Sequence, residues 1–286
     1  MVYLSSFTFP SLDEEGDFFF SVSETCYSTF YPFRTLCKKN ISRLIFDNIT
    51  MFYGGNGTGK TTALNVIAQK LHLERDSLFN SSNFFDDYTA LCDYETERTV
   101  PSGSRIITSD DIFDNMLDLR SVNQHIDNKR KELFREYNEN KYNTFKFSSM
   151  EDYERLKEIN ESRRISKSQY TRRRLMDNVR EHSNGESAFM YFSDKIRENR
   201  LYLLDEPENS LSPDKQMELC DFIADSVRFF GCQFIISTHS PFLLSLNNAL
   251  IYDLDGDTIS ESRWTELKNI RTYYEFFKKH SGEFEE

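Results

Sequence analysis

The sequence predicts an α/β fold built on a largely parallel sheet. Three observations carry that prediction. "NITMFY" is a short, apolar, β-prone run. A glycine-rich turn follows it, and then "TTALNVIAQKL", where Leu64, Ile67, Ala68 and Leu71 recur at helical spacing. Two later runs, "LYLL" and "FIIS", are short, almost wholly apolar and end in polar residues, as strands covered on both faces do.

The chain of 286 residues is 38% hydrophobic and 29% charged, the balance of a soluble globular protein. With 26 Phe and 15 Tyr, much of its core must be packed from aromatic rings. A net charge of −12 would repel nucleic acid or anionic lipid if spread evenly, so the distribution of charge matters more than the sum. Cys26, Cys37, Cys92, Cys220 and Cys232 are scattered and contain no C-x-x-C. That argues against a disulfide framework or a zinc knuckle and suits a reducing, cytoplasmic setting. The opening "MVYLSSFTFPSLDEEGD" lacks the basic start and long apolar run of a signal peptide. No stretch approaches the roughly 18 consecutive apolar residues of a membrane-spanning helix.

Along the chain, residues 1–50 mix short β-like runs ("VYLSSFTF", "DFFFSV", "RLIFDNI") with turns. The glycine-rich turn comes next. Gly54-Gly55-Asn56-Gly57-Thr58-Gly59-Lys60-Thr61 fits G-x-x-x-x-G-K-[ST], and it lies between a strand and a helix, where that phosphate-binding loop belongs. Its glycines let the backbone aim amide N–H groups at phosphate oxygens. The helix that opens at Lys60, Thr61 and Thr62 adds partial positive charge. Lys60 should reach the β- and γ-phosphates, and Thr61 should place its hydroxyl on Mg²⁺. No N-K-x-D base-reading motif accompanies the loop; "NKRK" and "NKYN" both fail. The "DLDG" at 253–256 fits a loose D-x-x-G but reads better as a turn between two strands.

"SRIITSDDIF" (104–113) reads as a strand ending at Ser109-Asp110, and residues 112–182 read as helical. Ile126, Leu133, Phe134 and Tyr137 share one face; Met150, Tyr153, Leu156 and Ile159 share another, after the helix-start signal "SSMED". Residues 155–182 hold nine Lys/Arg against four acids, with the densest run from Arg163 to Arg180. Such a patch can bind phosphate backbones or an acidic partner, or it can be a solvated face paired with the acidic body of the chain. Only Tyr170 interleaves the basic run between Arg163 and Arg180, so a base-stacking platform is not expected.

"HSNGES" (182–187), taken alone, is a turn or a helix start. "LYLL" then ends in Asp205-Glu206. An aspartate at that strand tip can hold Mg²⁺, and the following glutamate can polarise a water for attack on a γ-phosphate. "FIISTHSP" places His239 just past the end of another strand, whose neighbours would be the Asp205 strand and the loop strand. Lys60, Glu206 and His239 are therefore the expected catalytic groups. "ALIYDLDGDTISESRW" reads as a hairpin, and "TYYEFFKKHSGEFEE" as a short amphipathic helix ending in acids.

The order of "GGNGTGKT", "SNGE", "LYLLDEPE", "NSLS" and His239 resembles the ABC-type ATPases, the class of transporter engines and SMC-like ATPases. The resemblance spans residues of roughly 43–255. It implies a P-loop NTPase of ABC-ATPase type: a mixed, mainly parallel core, an N-terminal antiparallel β-subdomain and a helical signature lobe. One such domain would fill the chain, with the β-subdomain and loop core at 1–110, the lobe at 111–195, and the second half of the core at 196–286. It also implies that Ser183, Asn184, Gly185 and Glu186 are the signature that grips the γ-phosphate bound to a second subunit. ATP and Mg²⁺ would then be cofactors of a head-to-tail homodimer. His239 would be the switch histidine. Tyr31 would stack on adenine, with Phe30 and Phe33 as competitors. The family's usual glutamine near the 104–113 strand is missing; Ser109 or Asp110 would substitute at Mg²⁺, or would only cap a helix.

Asn184 replaces a signature glycine, and Ser212 replaces the D-loop aspartate of transporters. "DEPENSLSP" is closer to the soluble, AAA-annotated ATPases of phage defence and DNA metabolism. The expected partners are a second copy, a separate effector such as a nuclease, and nucleic acid on the Arg163–Arg180 segment. A transporter subunit is the remaining alternative.

Overall fold

A computed structural model describes residues 1–23, 26–39, 43–142, 144, 153–179 and 184–285. The chain forms two compact units. One comprises Met1–Phe113 with Asn184–Glu286, the other Asp114–Ser183.

The first unit holds two sheets. The smaller is antiparallel, in the order β2-β1-β4, from β1 (Leu4–Thr8), β2 (Arg43–Ile45) and β4 (Asp93–Thr96). The larger has six strands in the order β5-β6-β7-β3-β8-β9. These are β3 (Ile49–Tyr53), β5 (Arg105–Thr108), β6 (Leu201–Asp205), β7 (Gln233–Ser237), β8 (Leu250–Asp253) and β9 (Ser260–Glu261). All pairings in it are parallel except the β8–β9 hairpin. The mixed, mainly parallel core and the antiparallel subdomain are thus present.

Burial explains the sequence runs. Every residue of β3, β6 and β7 is buried, so these strands carry no polar face and read as continuous apolar segments. The helix after β3, α2 (Lys60–Lys70), buries its residues from Thr62 through Ala68 against the sheet. Part of the aromatic load gathers in one cluster. Phe18 stacks on Phe33 at 4.4 Å, Phe30 on Phe84 at 4.6 Å, and Tyr88 lies edge-on to Phe33.

Two local expectations are corrected. "DFFFSV" is not a strand but the last part of α1 (Leu12–Ser21), which a capping box starts: Ser11 accepts from Glu14 N–H, and the Glu14 carboxylate accepts from Ser11 N–H. A run of three phenylalanines has no period of its own, and the cap decides it. The 104–113 strand stops at Thr108, where α4 (Ser109–Tyr142) begins. A second capping box forces that end. The Asp111 carboxylate accepts from Thr108 N–H at 2.6 Å, and Thr108 Oγ1 accepts from Asp111 N–H at 3.3 Å.

The first unit continues with α3 (Phe85–Leu91), α7 (Asn184–Lys195), α8 (Pro213–Phe230), α9 (Pro241–Leu244) and α10 (Lys268–Lys279). The second unit holds most of α4, with α5 (Tyr153–Arg164) and α6 (Lys167–Arg172). Its small core joins Leu133, Tyr137 and Tyr170, with Ile165 and Leu175 packed on them. Among the described residues, no helix is long and apolar enough to cross a membrane.

Candidate functional site

Strand register assembles the site. Strand β7 lies between β6 and β3, as the sequence expects. Asp205 is level with Ser237 of β7, which is level with Phe52 of β3. The strands are parallel, so the glycine-rich loop, Asp205-Glu206 and His239 all emerge at one sheet edge, where open α/β sheets bind ligands.

The loop itself is held from several sides. Gly54 and Gly59 have φ of +155° and +99°. A Cβ on Gly54 would come within 2.7 Å of Thr58 Oγ1, and one on Gly59 within 2.9 Å of Leu36 Cδ2, so side chains are excluded at both. Lys60 is 4% exposed. Its Nζ donates to Gly54 O at 2.6 Å and Gly55 O at 3.1 Å, and lies 3.5 Å from Glu206 Oε1. Around this ammonium a cavity of about 450 Å³ opens, lined by Thr35, Asn56 through Thr62, and Glu206.

Thr61 Oγ1 donates to Asp205 Oδ1 at 3.1 Å, and Ser237 Oγ donates to the same oxygen. Burial pushes the Asp205 carboxyl above its usual range, and those two hydroxyls oppose the shift only in part. A buried carboxylate beside a hydroxyl suits a hard cation that takes its other ligands from phosphate and water. Thr61 and Asp205 therefore fit Mg²⁺. No group of three or more His, Cys, Asp or Glu that could hold a metal occurs among the described residues.

Glu206 has left-handed backbone, φ 48° and ψ 54°, which is uncommon outside glycine and turns its side chain toward Lys60. Asn209 Nδ2 donates to its Oε2 at 2.9 Å and fixes the carboxylate plane. His239 Nδ1 lies 4.0 Å from Glu206 Oε1 and 3.4 Å from Glu208 Oε1.

Three supporting residues escaped the sequence reading. Glu208 is buried, and its Oε1 accepts from Thr238 Oγ1, His239 N–H and Ser240 N–H at 2.7, 2.8 and 3.2 Å. It shapes the loop that presents His239; the signal was the second glutamate of "DEPE". Asp255 Oδ1 accepts from Gly55 N–H at 2.6 Å, while Leu254 N–H donates to Tyr53 O at 2.8 Å. The "DLDG" turn therefore clamps the start of the phosphate loop. Asp111 also binds Ser77 N–H at 2.7 Å, so the helix after β5 is tied to a neighbouring loop.

The remaining expected residues sit elsewhere. Ser109 opens α4, one position beyond the level of Asp205, and does not line the cavity. Tyr31 donates its hydroxyl to Thr62 Oγ1 at 2.9 Å and is half-buried. Phe33 is buried in the aromatic cluster, and the half-buried Phe30 stacks there on Phe84. Ser183 lies outside the described residues, as do Met150, Arg180 and "SSMED". Asn184 opens α7, with Gly185 and Glu186 in its first turn, and neither Gly185 nor Glu186 lines the cavity.

The basic segment is partly neutralised within its own unit. Glu161 pairs with Arg174 at 2.6 Å and Arg173 at 3.5 Å, and the Arg174 guanidinium also covers the Tyr170 ring at 3.8 Å.

Residues 118–244 match the family model for an AAA ATPase domain. No curated protein matches the chain. Among solved structures, the chain is similar to a nucleotide-free ATP-binding cassette from an ABC transporter, with 14% identity and a TM-score of 0.39 over 80% of this chain and 87% of that one. It is similar to the SMC head domain from Thermotoga maritima, with 14% identity and a TM-score of 0.37 over 78% and 92%. A third is a dimeric ATP-binding cassette in a post-hydrolysis state bound to ADP and Pi, at 12% identity and a TM-score of 0.37 over 79% and 90%. The family match, to an AAA ATPase domain, is consistent with the resemblance that the order of the motifs carries.

Proposed function

We propose that the protein binds ATP with Mg²⁺ at the β3–α2 loop, hydrolyses it, and does so as a head-to-tail dimer that ATP assembles. One observation carries the reading: Lys60, Thr61 and Glu206 line one cavity at a single sheet edge, and Asp205 is hydrogen-bonded to Thr61 behind it. Loop amides and the N-terminus of α2 receive the phosphates. Lys60, now satisfied by Gly54 and Gly55 carbonyls, turns to the β- and γ-phosphate oxygens. Thr61 and Asp205 would hold Mg²⁺, which would supply charge neutralisation on the phosphates. Glu206, oriented by Asn209, takes the proton of the attacking water. His239, steadied by Glu208, contacts the γ-phosphate.

In the dimer, Ser183, Asn184, Gly185 and Glu186 would meet the nucleotide held by the other copy. The "DEPENSLSP" stretch supports a role in bacterial defence or DNA metabolism rather than transport, with an effector in a separate chain.

The direct test is Glu206→Gln. This variant should bind ATP as well as the parent and lose turnover by at least about 100-fold, the scale of a general base. Hydrolysis within a few-fold of the parent would remove Glu206 from the role.

A further inference from the structure

The C-terminal helix carries an apolar face that the described residues cover only in part: Phe284 lies edge-on to Phe277, with ring centroids 6.1 Å apart. Ile270, Tyr273, Tyr274 and Phe277 of α10 recur at i, i+3, i+4 and i+7, the spacing of a stripe that packs on something. Ile270 is buried, but Tyr273, Tyr274 and Phe277 are 47%, 52% and 53% exposed. The stripe forms one wall of a cavity of about 640 Å³. Pro213, Pro241, Phe242 and Trp264 give it further apolar wall, and Glu208, Gln216, His239 and Ser240 line its polar side.

The edge of the stripe is basic. Arg271 and Lys278 both lie over the Tyr274 ring, at 5.3 and 5.7 Å. Lys268 and Lys279 add two more cations to the helix, against the one acid Glu275, which pairs with Arg271 at 3.4 Å and leaves Lys278 the unshared cation over the ring among the contacts described, in a chain of net charge −12. A helix of this length runs about 18 Å, so its apolar face is longer than a small molecule needs. A second α10 laid antiparallel would set the Arg271–Lys278 edge against its own like-charged equivalent, so another copy of the helix fits badly.

We infer that this groove docks an acidic amphipathic helix of another protein. Its apolar side chains fill the cavity beside Trp264, and its carboxylates meet Arg271 and Lys278. The site is coupled to the nucleotide edge at both ends. Asn269 N–H donates to the hydroxyl of Tyr53, the residue before Gly54, at 3.0 Å, and the cavity reaches His239.

The chain has a single tryptophan, Trp264, so its emission reports on this cavity alone. The test titrates nucleotide-free protein with a Trp-free synthetic helix that has leucines at i, i+3, i+4 and i+7 and glutamates elsewhere. A matched helix with lysines in place of the glutamates is the control. The glutamate helix should shift Trp264 emission saturably, and the lysine helix should bind at least about tenfold more weakly. Phe277→Asp should abolish the shift. The surface double variant Arg271→Glu with Lys278→Glu should invert the preference while leaving the fold intact. Equal binding of both helices, or no saturable shift with either, overturns the inference. A shift that follows protein concentration alone, with a doubling of mass, would instead assign the groove to a second copy. Nucleotide is left out, so failure here is separate from failure of the ATPase reading.

Discussion

At the scale of single residues, the site depends on acceptors that hold loops as much as on groups that face a substrate. Asp255 is the sharpest case. Its carboxylate takes the Gly55 amide, and no phosphate role explains it. Replacing it with Ala should loosen the loop and weaken ATP binding about fivefold, roughly the 1 kcal/mol of one hydrogen bond, with the melting temperature little changed. Asp255→Asn keeps an acceptor and should restore most of the affinity. Equal ATP affinity in Asp255→Ala and the parent would show that the clamp is idle. The thiols give a second check at this scale. Burial pushes Cys37, Cys92 and Cys220 up to about 11, 12 and 11, and pushes Cys232 up as well, while Cys26 is exposed. Native protein at neutral pH should therefore alkylate at Cys26 first, with the other four reacting only on unfolding. Mass mapping of early product to Cys92 or Cys232 would contradict that burial.

At the scale of elements, what could be read from the sequence was what one strand or one loop declares by itself. The β3, β6 and β7 strands are buried on both faces and, apart from Thr50 in β3, carry only apolar residues between their tips. The loop has a fixed pattern, and Asp205, Glu206 and His239 follow directly from strand ends. The unread parts are those in which a distant partner decides. Asp255 meets Gly55 across 200 positions, and Asp111 meets Ser77 across 34, and neither pairing leaves a local period. The phenylalanines of α1 misread as a strand because apolar runs shorter than two turns lack a helical signature. The helical unit makes its own prediction. Tyr170 is fully buried between Tyr137 and Arg174, with its hydroxyl on Glu136. Tyr170→Ala should cost that unit about 3–5 kcal/mol, and Tyr170→Phe only about 1. Hydrogen exchange should show the loss in residues 114–179 and spare β3, β6 and β7. A uniform loss over the whole chain would mean that the two units unfold together.

At the scale of the molecule, the sheet edge supplies a glycine-rich loop, two candidate magnesium ligands and a candidate general base, all from one copy. The proposed signature residues Gly185 and Glu186 are not among the residues that line that cavity. A head-to-tail pair resolves this arrangement: each copy would lend its signature to the nucleotide of the other, and ATP would be the joint between them. The acidic character of the chain, at net −12, opposes association of two like-charged bodies without such a joint.

The most direct test is the solution mass of Glu206→Gln, measured with and without Mg-ATP, beside the same variant carrying Ser183→Arg. The account predicts that ATP doubles the mass of the first and leaves the second a monomer that still binds ATP at its own loop. A mass that stays single while ATP is bound, or a dimer that Ser183→Arg does not disturb, would contradict a site completed by the second copy.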